Sequence, residues 1–264
     1  MNDSMEQLIG LVGNAERIVV FSGAGISTES GIPDFRGPGG VWEKVDPADF
    51  HIDRFLASPE NRRRYWLRSV EMYNQILMAQ PNAAHRAVVT LERMGKLGAV
   101  ITQNVDGLHQ TAGNSPERVI ELHGTTLFVA CLSCGHRVRR EAFQPLVSAE
   151  GDAPGCPECD GLMKPATISF GQMLTPESIE RATEETDACD LFLVIGSSLV
   201  VYPAAGFPIH ATRSGAPLVI VNREDTPHDA YATLVLQETA GEVMERLLEG
   251  LGEKQAAVAT PLPA

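Results

Sequence analysis

Long apolar runs are missing from this chain of 264 residues. No stretch approaches the roughly 18–20 residues that cross a bilayer, so no membrane association is expected. Residues 1–7 lack the basic start and apolar stretch of a signal peptide, and a cytoplasmic location is expected. Basic side chains are scarce: 21 Lys and Arg stand against 34 Asp and Glu, a formal net charge of −13. That balance argues against a surface built to seek phosphates, so no direct nucleic-acid partner is expected; it suits basic partners such as lysine-rich segments. Only five cysteines occur, four of them in paired spacing, which fits a reducing compartment better than a disulfide framework. What is present is a 44% hydrophobic content, enough for one large core or a large domain plus a small one. A monomer is expected.

The paired cysteines are Cys131-x-x-Cys134 and Cys156-x-x-Cys159, with 21 residues between the pairs. Two such knuckles can set four thiolates tetrahedrally around one Zn²⁺, the closed arrangement of a structural site. All four sulfurs are then used and no coordination position is left for water or substrate. The alternative is four reduced, buried thiols, which would not require the turn formers Gly135, Pro157 and Gly161 beside them. Cys189 stands apart and reads as a buried structural thiol.

Apolar runs rich in Val and Ile recur at 17–21, 98–102, 118–122, 191–195 and 218–221, each ending near Gly, Ser, Asn or His. Buried parallel strands have this composition. Stretches 5–14, 59–78, 83–94 and 176–185 read as helices. The alternation predicts an α/β fold, a Rossmann-like doubly wound parallel sheet with ligands at the carboxyl edges of its strands. Residues 126–165 interrupt it with the four cysteines and are expected to form a small zinc-ribbon insertion. The large nucleotide-binding domain then comprises residues 1–125 and 166–252, and 253–264 reads as a disordered tail.

The strand ends carry the chemistry. The first runs into Ser22-Gly-Ala-Gly-Ile-Ser-Thr28, where Gly23 and Gly25 let backbone N–H groups approach a phosphate and a following helix terminus would favour its charge. The third glycine of the dinucleotide fingerprint is absent, which disfavours a hydride-transferring dehydrogenase. Gly31-Ile-Pro-Asp-Phe-Arg-Gly37 and Pro38-Gly-Gly40 are too rich in Gly and Pro for a regular element, and read as a loop folding over a ligand with Asp34, Phe35 and Arg36. Thr102-Gln-Asn-Val-Asp-Gly-Leu-His109 brings Gln103, Asn104 and Asp106 to the next strand end; capping alone is the plainer account of Asn104 and Asp106. Glu121-Leu-His123-Gly124 sets His123 where the zinc insertion begins, where a near-neutral imidazole could accept a proton from a sugar hydroxyl. His109, its competitor, falls in the helix after the Asn-Val-Asp-Gly turn. Gly196-Ser-Ser-Leu199 and Val221-Asn222-Arg223 complete the set.

In order and spacing these motifs resemble the sirtuins, NAD-dependent protein lysine deacylases, over roughly residues 5–250. The resemblance implies NAD as a consumed co-substrate and an acyl-lysine protein or peptide, meeting between a Rossmann-like domain and a zinc ribbon. It implies that Gly23, Ala24, Gly25, Ser27, Asp34, Phe35 and Arg36 hold the phosphates and nicotinamide ribose. Gln103, Asn104 and Asp106 fix the ribose and nicotinamide for glycosidic cleavage, and Gly196, Ser197, Ser198, Asn222, Arg223 and Ala240 bind the adenosine half. The acyl oxygen attacks the anomeric carbon as nicotinamide leaves, and His123 is the general base for a ribose hydroxyl; the products are lysine, nicotinamide and O-acetyl-ADP-ribose. The peptide lies extended between Phe170, Gly171 and Gln172 on one side and Leu199 and Val200 on the other, as an added strand. Gln172 stands where many relatives carry Glu, and Ser197 where many carry Thr; loss of the carboxylate would weaken a preference for basic residues flanking the lysine.

Relatives that remove succinyl or malonyl groups carry Tyr-x-x-Arg before Pro-Asn-Ala-x-His. Here Tyr65-Trp-Leu-Arg68 lies several residues further upstream of Pro81-Asn-Ala-Ala-His85, with Ser69 and Met72 near the usual distance; this placement also resembles a subclass with mitochondrial members of unusual acyl preference. Arg62, Arg63, Arg64 and Arg68 are therefore read as a solvated helical face, and deacetylation as the activity, with a desuccinylase or other deacylase as the alternative. ADP-ribosyl transfer to protein is a second enzymatic alternative, and a non-enzymatic NAD-sensing scaffold a third.

Overall fold

The computed structural model describes residues 3–253. In chain order these form α1 (Asp3–Asn14), β1 (Ile18–Ser22), α2 (Ile52–Ala57), α3 (Pro59–Met78), α4 (Ala83–Arg93), β2 (Leu97–Thr102), α5 (Leu108–Ala112) and β3 (Val119–Glu121). There follow β4 (Gly124–Cys131), β5 (Arg137–Arg139), α6 (Arg140–Phe143), β6 (Met163–Thr167), α7 (Pro176–Ala188), β7 (Leu191–Ile195), α8 (Gly206–Arg213), β8 (Leu218–Val221), β9 (Leu234–Leu236) and α9 (Ala240–Gly250). The expected tail from 253 lies, apart from Glu253, outside the described residues.

All five expected strands form, in a six-stranded sheet of order β3-β2-β1-β7-β8-β9 with every pairing parallel. Every residue of β1, β2, β7 and β8 is buried, which explains their apolar sequence up to the terminal Ser22 and Thr102: helices cover both faces. The chain winds one way from β1 to β2 and β3, and the other way to β7, β8 and β9. The carboxyl ends of β1 and β7 therefore form the switch point at which such sheets bind ligands.

The helix starts follow local chemistry. Ser58 Oγ accepts the Asn61 N–H at 3.1 Å ahead of Pro59, and Thr175 Oγ1 accepts the Ser178 N–H at 3.3 Å ahead of Pro176. Asn82 caps α4 by accepting the N–H groups of Ala84 and His85. These side chains satisfy donors that the first helical turn leaves open. The helix expected after the glycines of β1 is a 3₁₀ turn instead, Ala24–Ser30, ended by Gly31 at φ 86°. Helices α8 and α9 and strand β9 complete the fold beyond the expected set; in α9, Val243, Met244, Leu247 and Leu248 show the helical spacing that buries them.

A second, antiparallel sheet of order β5-β4-β6 runs from Gly124 to Thr167, two residues beyond each end of the expected insertion. Its core joins Val129, Cys131, Cys156 and Met163 to Phe55 and Trp66. Helices α2 and α3 thus cover the zinc module, although their sequence precedes it by many residues.

Candidate active site

The junction of β1 and β7 is built on backbone contact. Gly23 N–H donates to Ile195 O at 3.1 Å and Gly25 N–H to Gly196 O at 2.8 Å. A Cβ on Gly25 would lie 2.7 Å from the Gly196 Cα, and one on Gly196, at φ 64°, only 2.2 Å from the Ile26 nitrogen. No side chain fits either position, so the two strand ends meet as bare backbone.

A polar network stands behind these glycines. Asn104 Nδ2 donates to Gly23 O and to Ser27 Oγ, both at 3.1 Å. The Ser27 hydroxyl donates to Asp106 Oδ2 at 2.7 Å, and Asp106 Oδ1 accepts the Leu108 N–H at 2.9 Å, opening α5. Asp106 is buried, which pushes its carboxyl pKa up; those two donors offset part of the rise. Both of its oxygens accept a hydrogen bond within the protein, and Ser27 links it to Asn104. The Asn104 N–H donates to Thr102 Oγ1 at 3.0 Å, which lies 2.9 Å from Ser22 Oγ, itself 2.9 Å from His109 Nε2. His109 is buried in α5 with its pKa held down to about 4 by burial, and its ring packs 5.1 Å from that of His85. It is an internal support of the strand end.

Gln103 ties the two halves of the cleft together. Its side-chain N–H donates to Ser197 Oγ at 2.8 Å, and its backbone oxygen lies 3.0 Å from His123 Nδ1. A carbonyl can only accept, so His123 carries its proton on Nδ1 and leaves a lone pair on Nε2. Burial lowers the His123 pKa below 6.5, with the Gln103 carbonyl pulling the other way. The imidazole is therefore neutral at neutral pH. The His123 carbonyl accepts the Ile168 N–H at 2.8 Å, joining the first sheet to the end of β6.

On the far side of the glycines, Gly25, Gly196, Asn222, Arg223 and Ala240 line one crevice. Thr28, Glu29, Glu238 and Thr239 line it too, none of them singled out in the sequence. Glu29 Oε2 accepts the Gly241 N–H at 2.7 Å and so fixes the first turn of α9. Thr239 Oγ1 is buried there without a hydrogen-bond partner. Asn222 Nδ2 turns back to Glu224 O at 2.7 Å, and Ser198 is half-buried.

The Gly- and Pro-rich loop is held by its own contacts. Asp34 Oδ1 accepts the Gly37 N–H at 2.7 Å, and Asp34 Oδ2 lies 3.5 Å from Arg223 Nη2. Phe35 is 37% exposed and packs on Trp42, ring centroids 5.0 Å apart. Ala24 is half-buried and Arg36 exposed.

At the peptide-side residues the structure narrows the expectation. The Phe170 N–H donates to Phe50 O at 3.1 Å and Phe170 O accepts the Ile52 N–H at 2.9 Å, so Phe170 is already paired. The Gln172 N–H is also taken, donating to Ser169 O at 3.0 Å, and Gln172 Oε1 folds back to accept the Ser169 N–H at 2.9 Å. Opposite, the Leu199 side chain is buried in the core and its N–H donates to Ser197 Oγ at 3.3 Å, while Val200 is exposed. Of the four arginines read as a solvated face of α3, Arg63 and Arg64 are exposed and pair at the surface with Asp152 and Glu60. Arg62, donating to Phe55 O and Leu56 O, and Arg68, paired with Asp49, are half-buried and correct that reading.

The sulfurs of Cys131, Cys134, Cys156 and Cys159 lie within 4.8 Å of one another, with 131–159 at 3.6 Å and 134–156 at 3.7 Å. Four sulfurs at about 2.3 Å from one Zn²⁺ stand about 3.8 Å apart, so the cluster fits a structural zinc ion. Cys189 is half-buried; its sulfur donates to Thr186 O, and burial pushes its thiol up to about 11.

Against known proteins, the Sir2 family model matches residues 23–203. The chain is 49% identical to the NAD-dependent protein deacetylase 1 of Bradyrhizobium diazoefficiens, over 92% of this chain and 95% of that one. It is 46% identical to the NAD-dependent protein deacetylase of Rhodopseudomonas palustris, over 92% and 96%. A solved Sir2–p53 peptide–NAD⁺ structure superposes with a TM-score of 0.84 at 40% identity, covering 96% of this chain and 99% of the other.

Proposed function

The chain belongs to the Sir2 family, and from that premise we propose that it removes acetyl groups from protein lysine side chains, consuming NAD and releasing nicotinamide and O-acetyl-ADP-ribose. It is an NAD-dependent enzyme with one structural zinc site. The observation that carries the reading is the Gln103–His123 link: a neutral histidine with a free Nε2, tied by one residue to the glycine-built nucleotide crevice.

The crevice fits a dinucleotide. Its floor at Gly25 and Gly196 has no room for a Cβ, and the buried Thr239 hydroxyl lacks a protein partner on its wall. NAD, when bound, supplies a glycosidic bond to nicotinamide whose cleavage exposes the ribose carbon to the acetyl oxygen. Asn104 and Ser27, braced by Asp106, would orient the ribose; Phe35 would cover the nicotinamide end; Asn222, Arg223 and Ala240 would hold the adenosine. His123 Nε2 would then take the proton of a ribose hydroxyl whose oxygen bonds to the acyl carbon. One water would be consumed as the bond from that carbon to the lysine nitrogen breaks, freeing the lysine and leaving the acetyl group on ADP-ribose, a transferase step. The cysteine sulfurs are kept from this chemistry by a closed tetrahedron.

No helix among the described residues is long and apolar enough to cross a membrane. We place the enzyme in the cytoplasm as a monomer, and the net charge of −13 supports protein rather than nucleic-acid partners. The test is incubation of the zinc-loaded chain with acetyl-, succinyl- and longer acyl-lysine peptides, with and without NAD, read by mass spectrometry. One nicotinamide and one O-acetyl-ADP-ribose per deacetylated lysine supports the assignment; ADP-ribosylated protein in their place replaces it with ADP-ribosyl transfer.

A further inference from the structure

We propose that Arg68 is a positioning residue that anchors the loop over the NAD crevice, rather than a reader of acidic acyl groups; this rests on the deacylase reading above. Arg68 sits in the middle of α3, on a different element from every residue assigned to NAD. Its Nη2 lies 2.9 Å from Asp49 Oδ2, and its guanidinium covers the Phe50 ring at 5.4 Å from the centroid. One side chain thus holds two consecutive residues of the 3₁₀ turn Pro47–Phe50.

That turn is coupled to the cleft in two directions. Phe50 meets Trp42 edge-on at 5.0 Å, and Trp42 packs on Phe35 at 5.0 Å. The backbone follows the same course: the Trp42 N–H donates to Phe35 O at 3.0 Å and the Val41 N–H to Asp34 O at 2.9 Å. From its other end, Phe50 O accepts the Phe170 N–H at 3.1 Å, beside the residues assigned to the peptide. Arg68 therefore reaches Phe35 through two aromatic rings, and the peptide side through one backbone bond.

The same geometry argues against the acyl role. A guanidinium already bound to a carboxylate would have to leave Asp49 and the Phe50 face to meet a succinyl group. Nearby, the Tyr65 hydroxyl lies 3.5 Å from Thr167 Oγ1, and Lys164 Nζ donates to Thr167 O at 2.6 Å. These polar groups too are committed to the protein.

The test measures NAD binding by calorimetry without peptide, and steady-state kinetics on acetyl- and succinyl-lysine peptides of one sequence, using the full zinc-loaded chain. Arg68→Ala should raise the Kd and KM for NAD about fivefold to tenfold, the scale of an ion pair plus a cation–π contact at this exposure, and Asp49→Asn, which keeps the Phe50 contact, about twofold to fivefold. The double variant should be no worse than Arg68→Ala, and the acetyl-to-succinyl ratio of kcat/KM should not move. Arg68→Lys, which keeps charge without the flat fork, should recover part of the loss. Unchanged NAD affinity in Arg68→Ala, or loss of succinyl turnover alone, overturns the proposal. Absence of deacylation by the unsubstituted chain would instead overturn the underlying function, and the calorimetry would still decide the anchor.

Discussion

His123 Nδ1 lies 3.0 Å from the carbonyl oxygen of Gln103, whose side-chain amide in turn holds Ser197 at the end of β7. The orientation of one ring, and which of its nitrogens is basic, are thereby set by the backbone of the neighbouring strand end. His123→Ala should lower kcat for deacetylation by about 10²–10⁴, the range for loss of a general base. Zinc content, melting temperature and NAD affinity should hold. Residual turnover within tenfold of the unsubstituted protein would remove His123 from the role.

The pH profile follows from the same ring. Burial lowers the His123 pKa below 6.5, and the base must be neutral to act. The profile of kcat/KM for peptide should be flat through neutral pH and fall only below pH 6.5, as the imidazole takes a proton. A limb centred above pH 7 would contradict this assignment.

Stability should show an acid dependence from the buried histidine pair. His109 has a folded pKa of about 4 against 6.5 for a free imidazole, and that of His85 is well below 6.5. Between those values the unfolded chain binds more protons than the folded one. Stability is therefore complete above pH 6.5 and is lost as pH falls towards 4, by up to about 3 kcal/mol for His109 alone. Urea unfolding between pH 7.5 and pH 4.5 measures the slope, and His109→Asn should flatten it.

Removing the metal should unfold the small sheet. Structural zinc contributes on the order of 10 kcal/mol, and Trp66 packs in the same core as Cys131 and Cys156. Cys131→Ser should lose the ion and shift Trp66 fluorescence to the red. An unchanged melting temperature and spectrum would refute a structural role.

Gly196→Ala tests the nucleotide crevice. At φ 64°, with 2.2 Å from the new Cβ to the Ile26 nitrogen, the strand ends must separate. The strain costs about 1–3 kcal/mol, and ADP-ribose affinity should fall with it, both read by calorimetry.

Gln172→Glu addresses peptide preference. The amide oxygen accepts the Ser169 N–H at 2.9 Å, and a carboxylate can keep that bond while adding charge. The expected gain in kcat/KM for peptides with flanking Lys or Arg is about two- to fivefold, the range of an exposed ion pair. Equal values on neutral and basic peptides would show that residue 172 does not face the flanking positions.

Much of this was legible before any coordinates. Strands β1, β2, β7 and β8 announce themselves because residues buried on both faces must be mostly apolar, β3 by its Val119-Ile120 pair, and the cysteine knuckles because one ion imposes one spacing. Gly25 and Gly196 declare a backbone that tolerates no side chain, though not that they meet each other. Asp106 was legible as polar and near the site, but not as a residue with both oxygens committed inside the protein. Strand β9, three residues long, offers too few positions for a period, and Glu29 and Thr239 carry no local signal at all.

By itself the sequence determined five strands of the parallel sheet and four helices, the cysteine cluster and the residues at each strand end, because these depend on period, spacing and side-chain chemistry within short windows. Only the tertiary structure decided that α2 and α3 cover the zinc module, that Gln103 selects the basic nitrogen of His123, and that Arg68 belongs to Asp49 and Phe50. Each of those relationships joins groups far apart in the chain. Their distance in space is set by how the layers pack, and no local pattern records it.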